Sequence, residues 1–420
     1  MWDLIKEDIG KSYKMNKKTL IFLCSGYPHT GEYFIDDEMR VAQSHFEHIY
    51  VVTRKSESKD SNRFLPSNAT LIELDSKVSK LQILASFSMI LCPFFLKEIW
   101  FVVRKYSPKY WWPIFKIQLV ALAQARAMQP ILAKFAVENS VFYSYWHDEK
   151  ALALALFKQK NPGIKCVARA HRWDIYAETH SIPYLPFKNF IFSKLDRTFS
   201  ISQDGKDYYE QNYSASRGKI TVSRLGRFNN RTPLFTKPNT EEILICTCSR
   251  ISYEKRLLLM VDIVAVLAQT MPLKWVHFGD GPMRKKVERY AKTKLKPSQV
   301  EFRGLVPTNE ILDFYATNYV DVFVNVSSSE GIPVSIMEAI SAGIPTVATA
   351  VGGTPEIVCD ETGYLLDAVC NPVEVARIIS KFVTLPALEQ EKKRKSAYTF
   401  WQENYEAGKN YRTFVDMINH

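Results

Sequence analysis

The sequence predicts an α/β protein built from two doubly wound domains that face each other across a cleft. Three observations carry this. The chain has 420 residues, more than one ordinary hydrophobic core accommodates. Apolar β-rich runs alternate with helically spaced segments, the pattern of parallel sheets covered by helices. The alternation stops once, at NNRTPLFTKPNT (residues 229–240), and then begins again. The expected division is a lead-in over residues 1–18, a first domain over 19–230, a second over 231–395, and a C-terminal helix over 396–420 that packs back on the first domain.

In chain order, TLIFLC (19–24), closed by Ser25-Gly26, reads as the first buried strand. Residues 48–53 give another strand. Residues 151–158 have helical spacing, and 165–168 form a strand ending just before His171. Residues 198–202 form a strand followed by a polar helix from Asp204. After the break, 243–247 is β-rich, 255–269 helical, and 273–278 a strand ending at Gly279-Asp280-Gly281-Pro282. Residues 300–302, 320–326 and 346–348 are further strands, and 397–418 is a separate aromatic-rich helix. In such folds ligands sit at the carboxyl ends of strands, beside helix N-termini.

Hydrophobic content of 46% and charged content of 24% suit a soluble globular chain. Cys246 and Cys248 are one residue apart, which is not a zinc-knuckle spacing. The scattered cysteines make no disulfide framework, so a reducing cytoplasm is expected. The first eighteen residues have no apolar core of the secretory type. Charge is uneven. Residues 1–235 hold 34 Lys and Arg against 22 Asp and Glu, a balance of +12; residues 236–420 hold 21 against 22, a balance of −1. A basic half points to an anionic partner. The apolar run 81–96 is shorter than the ~18–20 residues that span a bilayer, and Pro93 interrupts it. Arg104, Lys105, Tyr106, Lys109, Tyr110, Trp111, Trp112 and Lys116 follow, a mixture suited to lipid headgroups. The two together favour contact with an anionic membrane surface over a buried core helix followed by a surface loop.

The densest chemical signal is SSSEGIPVSIMEAISAGIPTVATAVGGTPEIV (327–358). A strand ends in serines, Glu330-Gly331 turns, and a helix starts near Pro333. Unpaired N–H groups and partial positive charge at a helix start attract phosphate, and Gly331 lets backbone come close to a ligand. Glu330 and Glu338 are placed to hydrogen-bond a polyhydroxylated ligand, although spacing alone fits a cap and a solvent-facing residue equally well.

This segment resembles the signature of retaining glycosyltransferases of family 4, which have the GT-B fold of two Rossmann-like domains. The matching residues are Glu330, Glu338, Gly343-Ile344-Pro345, the strand 346–348 and Gly352-Gly353-Thr354-Pro355-Glu356. The resemblance implies that Glu330 contacts donor-sugar hydroxyls, that Glu338 binds the nucleotide ribose, and that Gly331, Ile332 and Pro333 border the donor. Arg250 and Lys255, in SRISYEKR, look like the family's cations on the donor diphosphate, where leaving-group charge grows. Gly279 and Gly281 resemble the loop beside the nucleotide, and Arg303, in Phe302-Arg303-Gly304, the strand end near the base. Arg169-Ala170-His171-Arg172-Trp173-Asp174 resembles the H-x-x-D turn whose histidine reaches the donor sugar. Gly31, Glu32 and Asp174 fall on the acceptor side. Gly226-Arg227-Phe228-Asn229 departs from the family's Gly-Val-Asp.

The resemblance implies a retaining sugar transfer from a nucleotide-diphosphate sugar, a UDP-sugar ahead of a GDP-sugar, without cofactor or metal. The acceptor would be lipid-linked or a polysaccharide in cell-surface glycan synthesis, such as capsule or lipopolysaccharide. The enzyme would work in the cytoplasm, peripheral on the inner membrane face. The nearest enzymatic alternative is a GT-B nucleotide-sugar 2-epimerase. A basic nucleic-acid-binding protein leaves the Glu330–Glu338 segment unexplained, and no RNA- or DNA-binding motif is visible.

Overall fold

A computed structural model describes residues 18–29, 34–56, 63–75, 79–135, 139–238 and 241–419. The first domain contains β1 (Thr19–Leu23), β2 (His48–Arg54), β3 (Ala69–Leu74), β4 (Ser140–Ser144), β5 (Lys165–Ala170), β6 (Arg197–Ser200) and β7 (Ile220–Val222). All seven pair in parallel, in the order β3-β2-β1-β4-β5-β6-β7. The second contains β8 (Ile243–Cys248), β9 (Leu273–Phe278), β10 (Val300–Gly304), β11 (Val322–Asn325), β12 (Thr346–Thr349) and β13 (Gly363–Leu366), parallel in the order β10-β9-β8-β11-β12-β13. The central strands are apolar on both faces because helices cover both sides of each sheet. Leu20, Ile21, Phe22 and Leu23 of β1, and Ile245 and Cys246 of β8, are almost wholly buried.

The strand order reverses between β1 and β4 in one sheet and between β8 and β11 in the other. The crevice at such a switch, beyond the strand C-termini, is where doubly wound folds bind ligands. The loop after β8 carries Arg250 and Lys255, and the loop after β11 carries Glu330 and Gly331.

One expectation is corrected. The C-terminal segment is not one helix but two, Ala387–Asn404 and Ala407–Asn419. Tyr405 ends the first, its carbonyl accepting from Arg227 N, and Asn410 Nδ2 donates to Asn404 O and Leu225 O at the corner. The second helix lies against helix Ile35–His45 of the first domain. The helix of the donor loop does start near Pro333: it spans Val334–Ser341, with Pro333 as its N-cap.

The run at 81–96 is not a buried core helix. It forms helices Lys80–Ser86 and Pro93–Lys105, which with the intervening 3-10 turn meet at 93°, and leaves Leu81 77% and Leu91 81% exposed. Among the described residues no single helix is long and apolar enough to cross a membrane. The basic aromatic stretch that follows runs from the end of the second of these helices (Arg104, Lys105) through a short connection with the 3-10 turn Pro108–Tyr110 into helix Trp111–Lys134, with Trp112 63% exposed.

Candidate active site

The donor-side carboxylate is set by a braced loop. After β11, Ser327 N donates to Asn325 Oδ1 (3.0 Å) and turns the chain toward Glu330. The Gly352-Gly353 turn supports the loop from behind: Gly353 N donates to Gly331 O at 2.8 Å. A Cβ at Gly352, whose φ is +51°, would lie 2.0 Å from Glu330 O, so the motif glycine permits the contact. Glu330 is buried, and its Oε1 accepts from Lys255 Nζ (2.6 Å) and Asn325 Nδ2 (3.1 Å). Burial, the largest single effect, works to raise its pKa, but the Lys255 charge together with hydrogen bonds from Lys255, Ser327 and Asn325 holds the carboxyl below its usual value.

Lys255 ends the 3-10 turn Tyr253–Lys255. The next residue, Arg256, has a left-handed backbone (φ 50°), and its guanidinium reaches the carbonyls of Ser327 (3.0 Å) and Ala368 (2.8 Å). Arg256 therefore ties the Lys255 turn to the Glu330 loop, a function its sequence position does not reveal. Arg250 is exposed in the cleft, with no carboxylate at ion-pair distance among the described residues. Gly279, at φ +130°, donates its N–H to Gly304 O (2.7 Å), and a Cβ there would lie 1.9 Å from Ser249 O. Glycine lets the loops after β8 and β9 touch.

Glu338, on the fifth residue of helix Val334–Ser341, is also buried and lines the cleft. Burial pushes its pKa up, opposed by Arg227, whose Nε lies 3.2 Å from Oε1. Arg303 does not line the cleft. It pairs with Glu301 (2.7 Å) and lies over the Phe314 ring (4.4 Å), leaving that wall to Leu305, Val306, Pro307 and Thr308.

Across the cleft, β5 delivers His171. Its ring stacks on Tyr145 with centroids 4.6 Å apart and lies 4.7 Å from Trp146. Burial, then the nearby Arg169 guanidinium, holds its pKa well below the usual value, so the imidazole is neutral. Among the described residues its Nε2 has no hydrogen-bond partner. Asp174 faces inward rather than toward an acceptor. Its carboxylate accepts from the backbone N–H of His171 (2.5 Å) and of His147, pinning the turn that presents His171. Lys188, buried beneath, donates to His147 O and lies 3.0 Å from His147 Nδ1. Gly31 and Glu32 lie outside the described residues.

The two walls meet. Arg172 Nε donates to Ser329 Oγ at 2.9 Å, and Asp204 N donates to Glu356 Oε1 at 3.0 Å. Between them lies a cleft of about 1610 Å³ that gathers His171, Arg250, Lys255, Gly279, Gly281, Glu330, Gly331, Ile332, Pro333 and Glu338. Among the described residues no three His, Cys, Asp or Glu side chains group as a metal site.

Two facing parallel-sheet domains with this cleft define the GT-B glycosyltransferase fold. Residues 231–399 match the family model described as glycosyl transferases group 1. The phosphatidylinositol N-acetylglucosaminyltransferase of Arabidopsis thaliana, in one of its subunits, is 27% identical over 260 residues, covering 59% of this chain and 56% of that one. The chain spans about half the length of that relative and of its Homo sapiens counterpart. Among solved structures, the lipopolysaccharide outer core galactosyltransferase WaaB superposes with TM-score 0.68 at 13% identity, covering 95% of this chain and 99% of that one. HepE of Anabaena, in complex with UDP-glucose, gives TM-score 0.67 at 15% identity, covering 96% and 99%. The chain has the GT-B glycosyltransferase fold and resembles bacterial surface-glycan enzymes.

Proposed function

We propose that the protein transfers a sugar from a nucleotide-diphosphate sugar to a lipid-linked or polysaccharide acceptor in cell-surface glycan synthesis, with retention of configuration and without a metal. The observation that carries this is the pairing of Lys255 with buried Glu330 beside exposed Arg250, opposite neutral His171. The two cations would take the diphosphate, where charge accumulates as the glycosidic bond breaks. Glu330 would accept from donor-sugar hydroxyls and Glu338 from the ribose. His171 Nε2, without a hydrogen-bond partner among the described residues, would meet a sugar hydroxyl from the other wall. The chain's work is positioning and charge stabilisation, the departing phosphate helping to take the acceptor proton. The HepE complex with UDP-glucose supports a UDP-sugar ahead of a GDP-sugar.

Membrane contact is part of the proposal. Between residues 80 and 134 the cations are Lys80, Lys97, Arg104, Lys105, Lys109, Lys116, Arg126 and Lys134, and the single carboxylate, Glu98, is buried. The exposed apolar side chains of the bent helices lie among them, which suits an anionic cytoplasmic bilayer surface.

The test is nucleoside diphosphate release from UDP- and GDP-sugars, with and without anionic lipid extract, beside Glu330→Ala. Release from one donor that rises with lipid and is lost in the variant is expected. No turnover of any donor would sink the transferase, and an epimerised sugar formed without acceptor would move the assignment to a 2-epimerase.

A further inference from the structure

Arg227 stands where the chain leaves β7 for the linker, and it touches both domains. Its Nη1 lies 2.8 Å from Asp37 Oδ2, on helix Ile35–His45 of the first domain. Its Nε lies 3.2 Å from Glu338 Oε1, on helix Val334–Ser341 of the second. All three groups are buried, and all three line the cleft. The backbone around the guanidinium is fixed from several directions. Arg227 N donates to Tyr405 O (3.0 Å), Phe228 N to Asp37 Oδ2 (3.2 Å), and Asn229 Nδ2 to Ser341 Oγ (2.9 Å) at the end of the Glu338 helix. The guanidinium is thus a buried cation set between two buried carboxylates. A guanidinium suits this place because its fork holds two carboxylates at once.

We propose that Arg227 is a positioning residue of the donor site, which aims Glu338 at the nucleotide and ties it, through Asp37, to the first domain. Nucleotide affinity is thereby coupled to the approach of the two domains. The inference rests on the reading that Glu338 faces the donor ribose.

The test uses the full chain and measures UDP and GDP affinity by calorimetry for wild type and for Arg227→Met, Arg227→Lys, Asp37→Asn and Glu338→Ala, with a thermal melt of each. Arg227→Met is expected to weaken the preferred nucleotide roughly tenfold or more, as when one buried charge loses its partner. The Arg227→Met/Glu338→Ala double variant should lose little beyond Glu338→Ala alone, because the two act as a unit. Arg227→Lys should restore part of the affinity. Asp37→Asn should weaken nucleotide although Asp37 lies on the opposite domain, an effect that local packing around Arg227 would not produce. If Glu338→Ala weakens nucleotide while Asp37→Asn and a folded Arg227→Met or Arg227→Lys bind as wild type, Arg227 has no such role. If Glu338→Ala itself binds nucleotide normally, the donor-site reading falls and the coupling with it.

Discussion

Two buried glutamates show how a partner decides a charge. Glu330, despite its burial, is held below its usual pKa by Lys255 at 2.6 Å and by hydrogen bonds from Ser327 and Asn325. Glu98, on helix Pro93–Lys105, has only neutral donors among the described residues: Tyr184 Oη at 2.7 Å and the Phe187 N–H at 3.0 Å. Burial dominates there and pushes its pKa up to about 7. The raised value has a definite sign. Between the unfolded value near 4.5 and the folded value near 7, the folded chain keeps a proton that the unfolded chain has lost, so stability falls as pH rises through this window. At 1.36 kcal/mol per unit the loss is roughly 3 kcal/mol by pH 8. Glu98→Gln keeps an acceptor for Tyr184 and Phe187 but cannot ionise. Denaturant titrations from pH 4.5 to 8 should show the decline in wild type and a smaller one in the variant, which becomes the more stable form above pH 7. Parallel curves would mean that Glu98 stays ionised in the fold.

Among the elements, the bent helices Lys80–Ser86 and Pro93–Lys105 are the ones whose exposed faces the folded chain leaves unexplained. Leu81, Leu84 and Leu91 project among cations, and each Leu withdrawn from water contributes about 1.5–3 kcal/mol. Leu84→Glu with Leu91→Glu should therefore reduce binding to anionic phospholipid vesicles by about tenfold or more in a flotation assay. Nucleotide affinity in solution should be unaltered. Undiminished flotation would remove this face from the membrane proposal. These helices also show what the sequence conveys and what it does not. Length and composition exclude a span and reveal the basic aromatic stretch, yet whether Leu91 faces core or solvent depends on neighbours distant in the chain. The strands behave alike. β1, β2, β8 and β9 are legible as apolar runs, whereas β3, β7 and β13 are short or half-exposed edges without a clear pattern. At the site, turn glycines and strand ends mark where Glu330, Lys255 and His171 stand, but local spacing leaves their roles open and only the family resemblance assigns them. Arg227 could not be read in either way, because its partners are 190 and 111 residues away and nothing local announces them.

At the scale of the whole molecule, the chain's last helix completes its first domain. Ala407–Asn419 follows the long helix of the second domain, turns at Tyr405, and buries Tyr411, Phe414, Val415 and Ile418 on the other side. Phe414 packs against Tyr143 (5.1 Å) and Phe199 (5.0 Å) of the first sheet, and the Arg169 guanidinium lies 4.0 Å from its ring centroid. Arg169 in turn lies 3.5 Å from buried Glu38, and it sits near the end of β5, two residues before His171. Residues near 20 and near 414 thus share one core, which helix Ala407–Asn419 completes. Phe414→Ala removes a fully enclosed ring, for which the expected cost is about 3–5 kcal/mol. The helix also joins the two domains, so the loss should appear in both. Denaturant unfolding followed by a probe in each domain should give two midpoints that shift together in the variant. A shift confined to the first domain would show that the helix serves only as its lid, and that Arg227, Arg172 and Glu356 do not couple the two domains strongly enough to make them unfold as one.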